Sequence, residues 1–365
     1  MTLQRPNPTP RFAASLAALL PPAEACRIVD IGSRNGIEKI WTPLGAAAHF
    51  IGFEADPDEA ARLNVESAET EGGSTIRHLP FALSDCDGER LFRIARFGQC
   101  SSFYAADPDW IGRFPVTEQD TVREVMLPTR SLDSVCRAEG YDRIDFIKID
   151  VEGAELDILK GAAETLADRH VLGVKTEFWW DPPVKRDYAA SFAEIDIYLR
   201  GHGFRFFDIK PHYYPRATIP SGRLTGQFDN PEAKARLGYR HFDYGQAFTG
   251  DALYFRDPVA AAIAGAPLDG WPAPKLLRLC ALMDLFDYGD AGIEILEHLG
   301  DRIAAVLPDS TSLDALYDLL TPTLDGEILS YAAYREIAIA HRRAYRKTWL
   351  GLEDWAPPPT RYGKR

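Results

Sequence analysis

Residues 28–36 read IVDIGSRNG, an apolar run of strand length that ends in an acid and two spaced glycines. Glycines at the turn after a strand let the backbone approach a ligand closely, and the first amides of a following helix can hold its polar groups. Asp30 lies two residues before Gly32 and suits a ligand with a cationic end. A dinucleotide-binding turn needs a further glycine at position 34, where this chain has Arg34. The stretch therefore predicts an α/β fold with a ligand-binding turn that lacks the dinucleotide fingerprint.

A second acid ends the next predicted strand, in residues 50–57, which read FIGFEADP. The Glu54 carboxylate can accept both hydrogen bonds from the hydroxyls of a ribose, and Ala55 follows it in the same turn. Any adenosine-containing ligand suits this acid, so a NAD-dependent oxidoreductase remains an alternative. Two features oppose it: Arg34 replaces the glycine, and no second nucleotide-binding half follows in the sequence.

The third motif is residues 145–156, which read DFIKIDVEGAEL. A buried strand there delivers Lys148, Asp150 and Glu152 in alternation at its carboxyl end, and ligands of open α/β sheets bind outside such ends. Acids also favour the start of a helix, so a solvated acidic turn is the structural alternative. Charges at the end of a buried strand indicate a functional site.

Apolar runs of strand length alternate with helix-like segments between residues 27 and 256, which predicts a doubly wound parallel sheet. The predicted strands are 27–31, 49–53, 144–149, 171–176, 204–209 and 252–255. The predicted helices are 57–68, 131–139, 154–166 and 191–201. The irregular stretch 91–125 is long for a connection, so we expect it to border the binding site.

The chain divides in character after Asp257, where Ala- and Leu-rich segments with helical spacing begin. We predict a catalytic domain at residues 1–257, with a helical lead-in at 1–24, and a helical C-terminal domain of unknown role at 258–365. The Leu-rich stretches 276–285 and 293–299 suit either a core or the interface of a homo-oligomer.

The composition excludes several classes of protein. A formal charge of −13 opposes binding to nucleic acid, because the field of the whole protein repels phosphates. Five scattered cysteines suggest neither disulfides nor a zinc site, which is typical of a reducing, cytoplasmic compartment. The apolar stretch near the N-terminus is too short for a signal sequence, and nothing approaches the roughly 20 apolar residues of a membrane span.

Taken together, these motifs resemble the FkbM family of class I S-adenosylmethionine-dependent methyltransferases. The resemblance covers roughly residues 25–256 and implies a Rossmann-like seven-stranded sheet with helices on both faces. It also implies S-adenosylmethionine as the methyl donor. The amino-acid end of the donor would be lined by Asp30, Gly32, Ser33 and Gly36. The ribose would be held at Glu54 and Ala55, with Leu83, Ser84 and Asp85 near the adenine. Ser102 resembles one member of a polar pair that many members carry.

Transfer of a methyl group to a hydroxyl needs a group that removes the proton of that hydroxyl. The best-placed acids are Asp150, as the principal base, and Glu152 or Glu177 in support. His212 and His241 are further candidates because imidazole titrates near neutral pH. A second possibility is a Mg²⁺ ion held by oxygen ligands from Asp150, Glu177 and Asp181.

The predicted function is O-methylation of a hydroxyl on a sugar, on a glycolipid or polysaccharide precursor, or on a secondary metabolite. A small-molecule acceptor is therefore the expected partner. Two alternatives stay open: a methyltransferase with a nitrogen or protein acceptor, and a non-catalytic protein that binds the donor as a scaffold. The intact acidic strand end at Asp150 opposes the scaffold.

Overall fold

The apolar runs form two sheets, and helices surround them in a computed structural model. The structure describes residues 10–68, 74–114, 120–168, 171–181, 189–214, 216–218, 245–324 and 326–345. The strands are β1 (Cys26–Ile31), β2 (Ala48–Phe53), β3 (Thr75–Leu79), β4 (Ala82–Leu83), β5 (Gly88–Ala95), β6 (Thr121–Arg130), β7 (Phe146–Ile149), β8 (Gly173–Trp179), β9 (Phe204–Tyr214) and β10 (Gln246–Arg256). The helices are α1 (Arg11–Leu19), α2 (Pro57–Ala68), α3 (Pro108–Ile111), α4 (Leu132–Glu139), α5 (Glu155–Lys160), α6 (Ala163–Asp168), α7 (Phe192–Gly201), α8 (Pro258–Ile263), α9 (Ala273–Leu285), α10 (Gly289–Ala304), α11 (Leu313–Leu320) and α12 (Tyr331–Tyr345).

The larger sheet has seven strands in the order β3-β2-β1-β7-β8-β10-β9, which confirms the predicted architecture. Strand β10 runs antiparallel to both of its neighbours, and the other pairings are parallel. From β1 the chain moves outward to β2 and β3, and it later returns to the other side of β1 with β7. The gap between β1 and β7 is therefore the switch point where open α/β sheets bind their ligands.

The stretch 91–125, expected to be irregular, carries half of a second sheet with the order β4-β6-β5. Strands β5 and β6 are antiparallel, with Phe92 opposite Val125 and Ile94 opposite Arg123. Parallel pairing of β4 with β6 joins this hairpin to the turn that follows β3. The hairpin lies beside the carboxyl edge of the larger sheet, where it can cover a ligand.

Local sequence explains the helix boundaries. The Ser131 hydroxyl accepts a hydrogen bond from the Ser134 amide at the start of α4, and Gly140 ends that helix at φ +70°. The predicted helix 154–166 is divided into α5 and α6 near Gly161, where a Cβ atom would lie 2.1 Å from the carbonyl oxygen of Ser84. Close packing against β4 therefore interrupts the helix.

The segment after the glycine turn differs from the expected helix. A 3₁₀ helix with Pro43 inside it spans Lys39–Ala47, and Gly45 lies at φ +47°. Proline removes a backbone donor and a left-handed glycine breaks the helical path, so no regular α-helix begins at the turn. The amides expected to hold a ligand from a helix start are therefore not arranged in that way.

The C-terminal helices cover the face of the larger sheet that the 3₁₀ helix Lys39–Ala47 leaves uncovered. Helices α9, α10 and α11 share one hydrophobic cluster with α1, the 3₁₀ segment and one face of the larger sheet. The Leu-rich stretch 276–285 is core within this one chain, because its apolar side chains are buried. Helices α4 to α7 pack on the opposite face, so helices lie on both faces as predicted.

Buried polar contacts join this layer to the rest of the chain. The guanidinium of Arg278 on α9 donates to Asp145 Oδ1 at 2.8 Å, just before β7. The carboxylate of Asp284 on α9 accepts hydrogen bonds from the amides of Phe12 and Ala13, at 2.9 and 3.1 Å. The division of the chain into two domains at residue 257 stays a prediction. In the structure, residues before and after this position pack against each other in one hydrophobic cluster. Within the described ranges, no helix is both long and apolar enough to cross a bilayer.

Candidate active site at the carboxyl edge of the sheet

A cavity of about 1020 Å³ lies along the carboxyl edge of the parallel strands. Its walls come from the residues that follow β1, β2 and β7, from β8, from the facing ends of β9 and β10, and from the β5–β6 hairpin. Ligand sites of proteins usually occupy 300–1,000 Å³, so the volume suits a pair of small molecules. The cavity crosses the switch point between β1 and β7.

Gly32 lets two chain segments touch at this switch point. It lies at φ +80°, and a Cβ atom there would be 2.0 Å from the carbonyl oxygen of Asp150. The amides of Gly32 and Ser33 donate to the carbonyl oxygen of Phe53, at 3.1 and 3.0 Å. The Ser33 hydroxyl turns away from the cavity and lies 3.0 Å from His78 Nδ1. Gly32 and Gly36 line the cavity, whereas the side chain of Ser33 does not.

Asp30 is buried below the turn and does not line the cavity. It contacts Lys148, which does line it. The Lys148 ammonium lies 3.1 Å from Asp30 Oδ1 and 3.5 Å from Asp150 Oδ2. Burial raises the pKa of Asp30 to about 6, against the opposing effect of Lys148. Burial disfavours the charge of Lys148, but the two carboxylates outweigh it and raise the pKa of this group. Lys148 and Asp150 line the cavity, and Lys148 is a site residue to which the sequence assigned no role.

The acid after β2 lies at the cavity wall as expected. Glu54 is 6% exposed, and its Oε1 accepts a hydrogen bond from the Asp56 amide at 2.9 Å. Burial raises the pKa of this carboxyl. Arg34 lies with its Nη1 3.8 Å from Glu54 Oε1 and packs against Gly98 of the hairpin loop. Glu54 and Ala55 both line the cavity.

An apolar pocket continues from Ala55 toward β4. Leu83 lines it together with aromatic and aliphatic side chains of the hairpin, including Phe92 and Leu127. Ser84 is buried, and its hydroxyl accepts from Arg90 and donates to Asp85, which is itself exposed. The side chains of Ser84 and Asp85 therefore support this end from behind, and only Leu83 of the predicted trio lines the cavity.

The turn after β7 presents Glu152 in an unusual backbone conformation. Glu152 lies at φ +62°, which costs a non-glycine residue about 1–3 kcal/mol and persists only where the surroundings enforce it. The Ser102 hydroxyl donates to the carbonyl oxygen of Glu152 at 2.7 Å. The buried Glu155 carboxylate accepts from the amides of Val151 and Gly153, at 3.2 and 3.1 Å. Ser102 thus acts on the site through the turn and does not line the main cavity.

Removal of the Glu155 carboxylate should therefore lower activity, although this side chain does not line the cavity. Glu155→Ala frees two buried amides and lets the turn relax. We expect kcat/KM to fall by about 100-fold, since a shift of about 1 Å at reacting groups has an effect of that size. Glu155→Gln keeps an acceptor oxygen and should recover most of the rate. Equal loss in both variants would contradict the positioning role.

Glu177 enters the cavity from β8, beside the turn that carries Glu152. Its Oε2 is buried without a hydrogen-bond partner among the described residues. Burial raises the pKa of Glu177 well above its ordinary value, and the neighbouring Glu152 and Asp150 raise it further. Burial also raises the pKa of Glu152 to about 8, with Asp150 adding to the shift. The three predicted catalytic carboxylates therefore lie together.

The far end of the cavity is formed by the last two strands. His212 and Tyr214 of β9 line it with Phe248 and Thr249 of β10. Burial lowers the pKa of His212, and its Nε2 lies 3.9 Å from Asp251 Oδ2. The rings of Tyr214 and Phe248 are 5.0 Å apart. His241, the other candidate histidine, lies outside the described residues.

The structure does not assemble the proposed Mg²⁺ site. Asp181 is exposed and does not line the cavity that holds Asp150 and Glu177. In the part of the chain that is described, no group of three or more His, Cys, Asp or Glu residues is arranged to hold a metal ion. The expected ligand set is therefore corrected: Asp181, in the loop after β8, does not join the other two.

The sequence located most of the cavity but missed some of its supports. Nine of the predicted side chains or glycines line it: Gly32, Gly36, Glu54, Ala55, Leu83, Asp150, Glu152, Glu177 and His212. Five others do not line it: Asp30, Ser33, Ser84, Asp85 and Ser102. The donor-binding and catalytic roles assigned to the residues of both groups stay predictions. Glu155 was visible in the third motif as an acid at a helix start, and only its contacts reveal that it folds back on the turn.

Comparison with known proteins identifies the central part of the chain. Residues 30–206 match the family model described as Methyltransferase FkbM domain. The 2-O-methyltransferase NoeI of Sinorhizobium fredii is 30% identical over 144 residues, which cover 38% of this chain and 58% of that protein. The hexuronic acid methyltransferase AglP of Haloferax volcanii is 26% identical over 153 residues, or 42% and 56% of the two chains. The chain thus spans a little over half the length of these curated relatives.

Solved structures give weaker likenesses. Magnesium protoporphyrin IX methyltransferase from Synechocystis has a TM-score of 0.31 at 11% identity, covering 67% of this chain and 76% of its own. An S-adenosylmethionine-dependent methyltransferase from Mesorhizobium loti has the same TM-score at 13% identity, covering 67% and 98%. Likenesses of this size carry no functional argument.

Proposed function

We propose that this chain, whose residues 30–206 form a methyltransferase FkbM domain, transfers a methyl group from S-adenosylmethionine to a hydroxyl of a sugar. One observation carries the proposal: a single cavity runs from the acid after β2, across the switch point, to a cluster of carboxylates on β7 and β8. The names of the two curated relatives, a 2-O-methyltransferase and a hexuronic acid methyltransferase, favour a sugar acceptor.

The residues around the switch point suit the donor. Glu54 offers a buried carboxylate for the ribose hydroxyls, and Leu83 with the hairpin offers an apolar slot for the adenine. Any side chain at position 32 would collide with the backbone of Asp150, so glycine leaves this part of the cavity accessible to the donor. When bound, the donor supplies an electrophilic methyl group on a sulfonium.

The carboxylates beyond the switch point would bind and deprotonate the acceptor. Asp150, Glu152 and Glu177 can accept hydrogen bonds from sugar hydroxyls, and one of them takes the proton as the oxygen–methyl bond forms. Carboxyls with raised pKa values are stronger bases once ionised, which suits Glu152 and Glu177 for this step. Lys148 between Asp30 and Asp150 would keep Asp150 in place.

Donor binding is the first test of the proposal. Calorimetry with S-adenosylmethionine and with its demethylated product should show binding to the wild type that Glu54→Ala abolishes. The exposed hairpin carboxylate of Glu89 provides a control, since Glu89→Ala should leave donor affinity unchanged. A wild-type protein that binds neither compound would refute the proposal. Donor binding without transfer to any glycoside or amine would favour the scaffold alternative.

The pH dependence of the rate is a second test. Because the pKa of Glu152 is raised to about 8, its carboxyl holds a proton at lower pH and cannot accept another. We expect kcat/KM to increase as the pH rises through about 8. Glu152→Gln should lower the rate and remove that increase, whereas Glu89→Gln should change neither. A profile that is the same in Glu152→Gln and the wild type would assign the proton to another group.

A further inference from the structure

Four carboxylates surround the place where the acceptor would react. Asp150 and Glu152 belong to the turn after β7, Glu177 comes from β8, and Glu155 lies beneath the turn. On the neighbouring strand β10, Asp251 stands directly opposite Glu177 in the strand register. This end of the cavity is therefore rich in carboxyl groups.

The two lysines nearest to these acids, one buried and one half-buried, are already paired with carboxylates. Lys148 lies between Asp30 and Asp150. Lys175 on β8 lies 3.3 Å from Glu38 Oε1 and 3.7 Å from Asp251 Oδ1. Each of these two ammonium groups is thus shared by two acids, which leaves net negative charge around the reacting position.

Other charged groups lie farther out or are paired elsewhere. Arg34 reaches the acids after β2, at Glu54 and Asp56. Lys39 and Arg123 line the cavity with exposed side chains, and Lys210 of β9 is exposed as well. His212 faces Asp251 from β9. These exposed ammonium and guanidinium groups are screened by water and salt, so they compensate the acids at this end of the cavity weakly.

We infer that the reacting ring of the acceptor carries no carboxylate, and that the acidic end of the cavity selects a neutral or amino-substituted sugar over a uronic acid. The inference rests on the proposed function and narrows it to one of the two acceptor types that the relatives' names suggest. Neutral hydroxyls and ammonium groups donate hydrogen bonds to Asp150, Glu152 and Glu177, whereas a uronate would place a further negative charge among them. Tyr214 and Phe248 provide ring faces against which an uncharged pyranose can pack.

Binding of three matched sugars tests this inference. The probes are methyl hexopyranosides that carry a hydroxyl, an ammonium or a carboxylate at C6, each in the gluco and galacto configurations. Their affinities are measured by calorimetry at pH 8.5 with the demethylated donor product bound. Like-charge contacts cost several factors of ten in affinity, so we expect the carboxylate probe to bind at least about 100-fold more weakly than the hydroxyl probe. The ammonium probe, close in size to the carboxylate probe, should bind at least as well as the hydroxyl probe.

Variants separate charge from shape. The pKa of Glu152 is about 8, so at pH 8.5 Glu152→Gln removes one negative charge with little change in volume. It should narrow the gap in affinity between the hydroxyl and carboxylate probes by about tenfold or more. Glu89→Gln, on the outer part of the hairpin, should leave the gap unchanged.

Three outcomes would overturn the inference. They are equal binding of the carboxylate and hydroxyl probes, exclusion of the ammonium probe as strong as that of the carboxylate probe, and a gap in affinity that Glu152→Gln does not narrow. If none of the sugars binds while the donor product does, the inference also fails, but the proposed donor remains. Loss of donor binding itself would instead refute the proposed function.

Discussion

Gly32→Ala is expected to abolish detectable donor binding and methyl transfer. The added Cβ would lie 2.0 Å from the carbonyl oxygen of Asp150, which is backbone and cannot rotate away. The turn after β1 and the turn after β7 would have to separate by more than an ångström, and misplacement of that size weakens a site by about 100-fold or more. Calorimetry with the demethylated donor product measures the loss directly.

Gly140 provides a matched control for this prediction. It also lies in the left-handed region, at φ +70°, but a Cβ atom there would meet nothing within 4 Å. Gly140→Ala should therefore incur only the conformational penalty, about 1–2 kcal/mol of stability, and keep full donor affinity. If Gly32→Ala binds the donor as well as Gly140→Ala does, the close approach at the switch point has no role in binding.

Removal of residues 258–365 should prevent folding of the remaining chain. Helices α9 to α11 bury the face of the sheet that contains Ile28, Phe146 and Phe255. Without them this apolar face meets water, and Asp145 loses its buried partner Arg278. We expect the truncated protein to be insoluble or to unfold without a cooperative transition, as measured by circular dichroism during heating. A folded fragment that binds the donor would support an independent catalytic domain.

A single substitution in the full chain tests the contact between α9 and the start of α1. Asp284→Ala leaves the amides of Phe12 and Ala13 without their acceptor at the buried start of α1. The free energy of unfolding should fall by about 2–4 kcal/mol, because each unsatisfied buried group costs about 1–3 kcal/mol. Asp284→Asn keeps an acceptor oxygen and should lose less. Asp309→Ala, at an exposed position, should have no measurable effect.

The predicted strands and helices follow from patterns that are local in the chain. Six apolar runs became strands of the larger sheet, and the helix predicted at 57–68 spans the same residues in the structure. Side-chain spacing and capping residues such as Ser131 act over a few positions, so a sequence reveals them directly. The stretch 91–125 lacked such a pattern, because its strands alternate between a cavity face and an exposed face with mixed residues.

The sequence by itself determined six of the seven strands of the larger sheet, the switch-point turn at Gly32, and the acids that end β2 and β7. Only the tertiary structure decided which of these groups line the cavity, because that depends on where distant segments touch. It placed Asp30 behind Lys148, separated Asp181 from Glu177, and folded Glu155 back on its own turn. It also set Asp284 at the start of α1, across 272 residues of sequence. Contacts of this kind arise from packing, and no local spacing of residues encodes them.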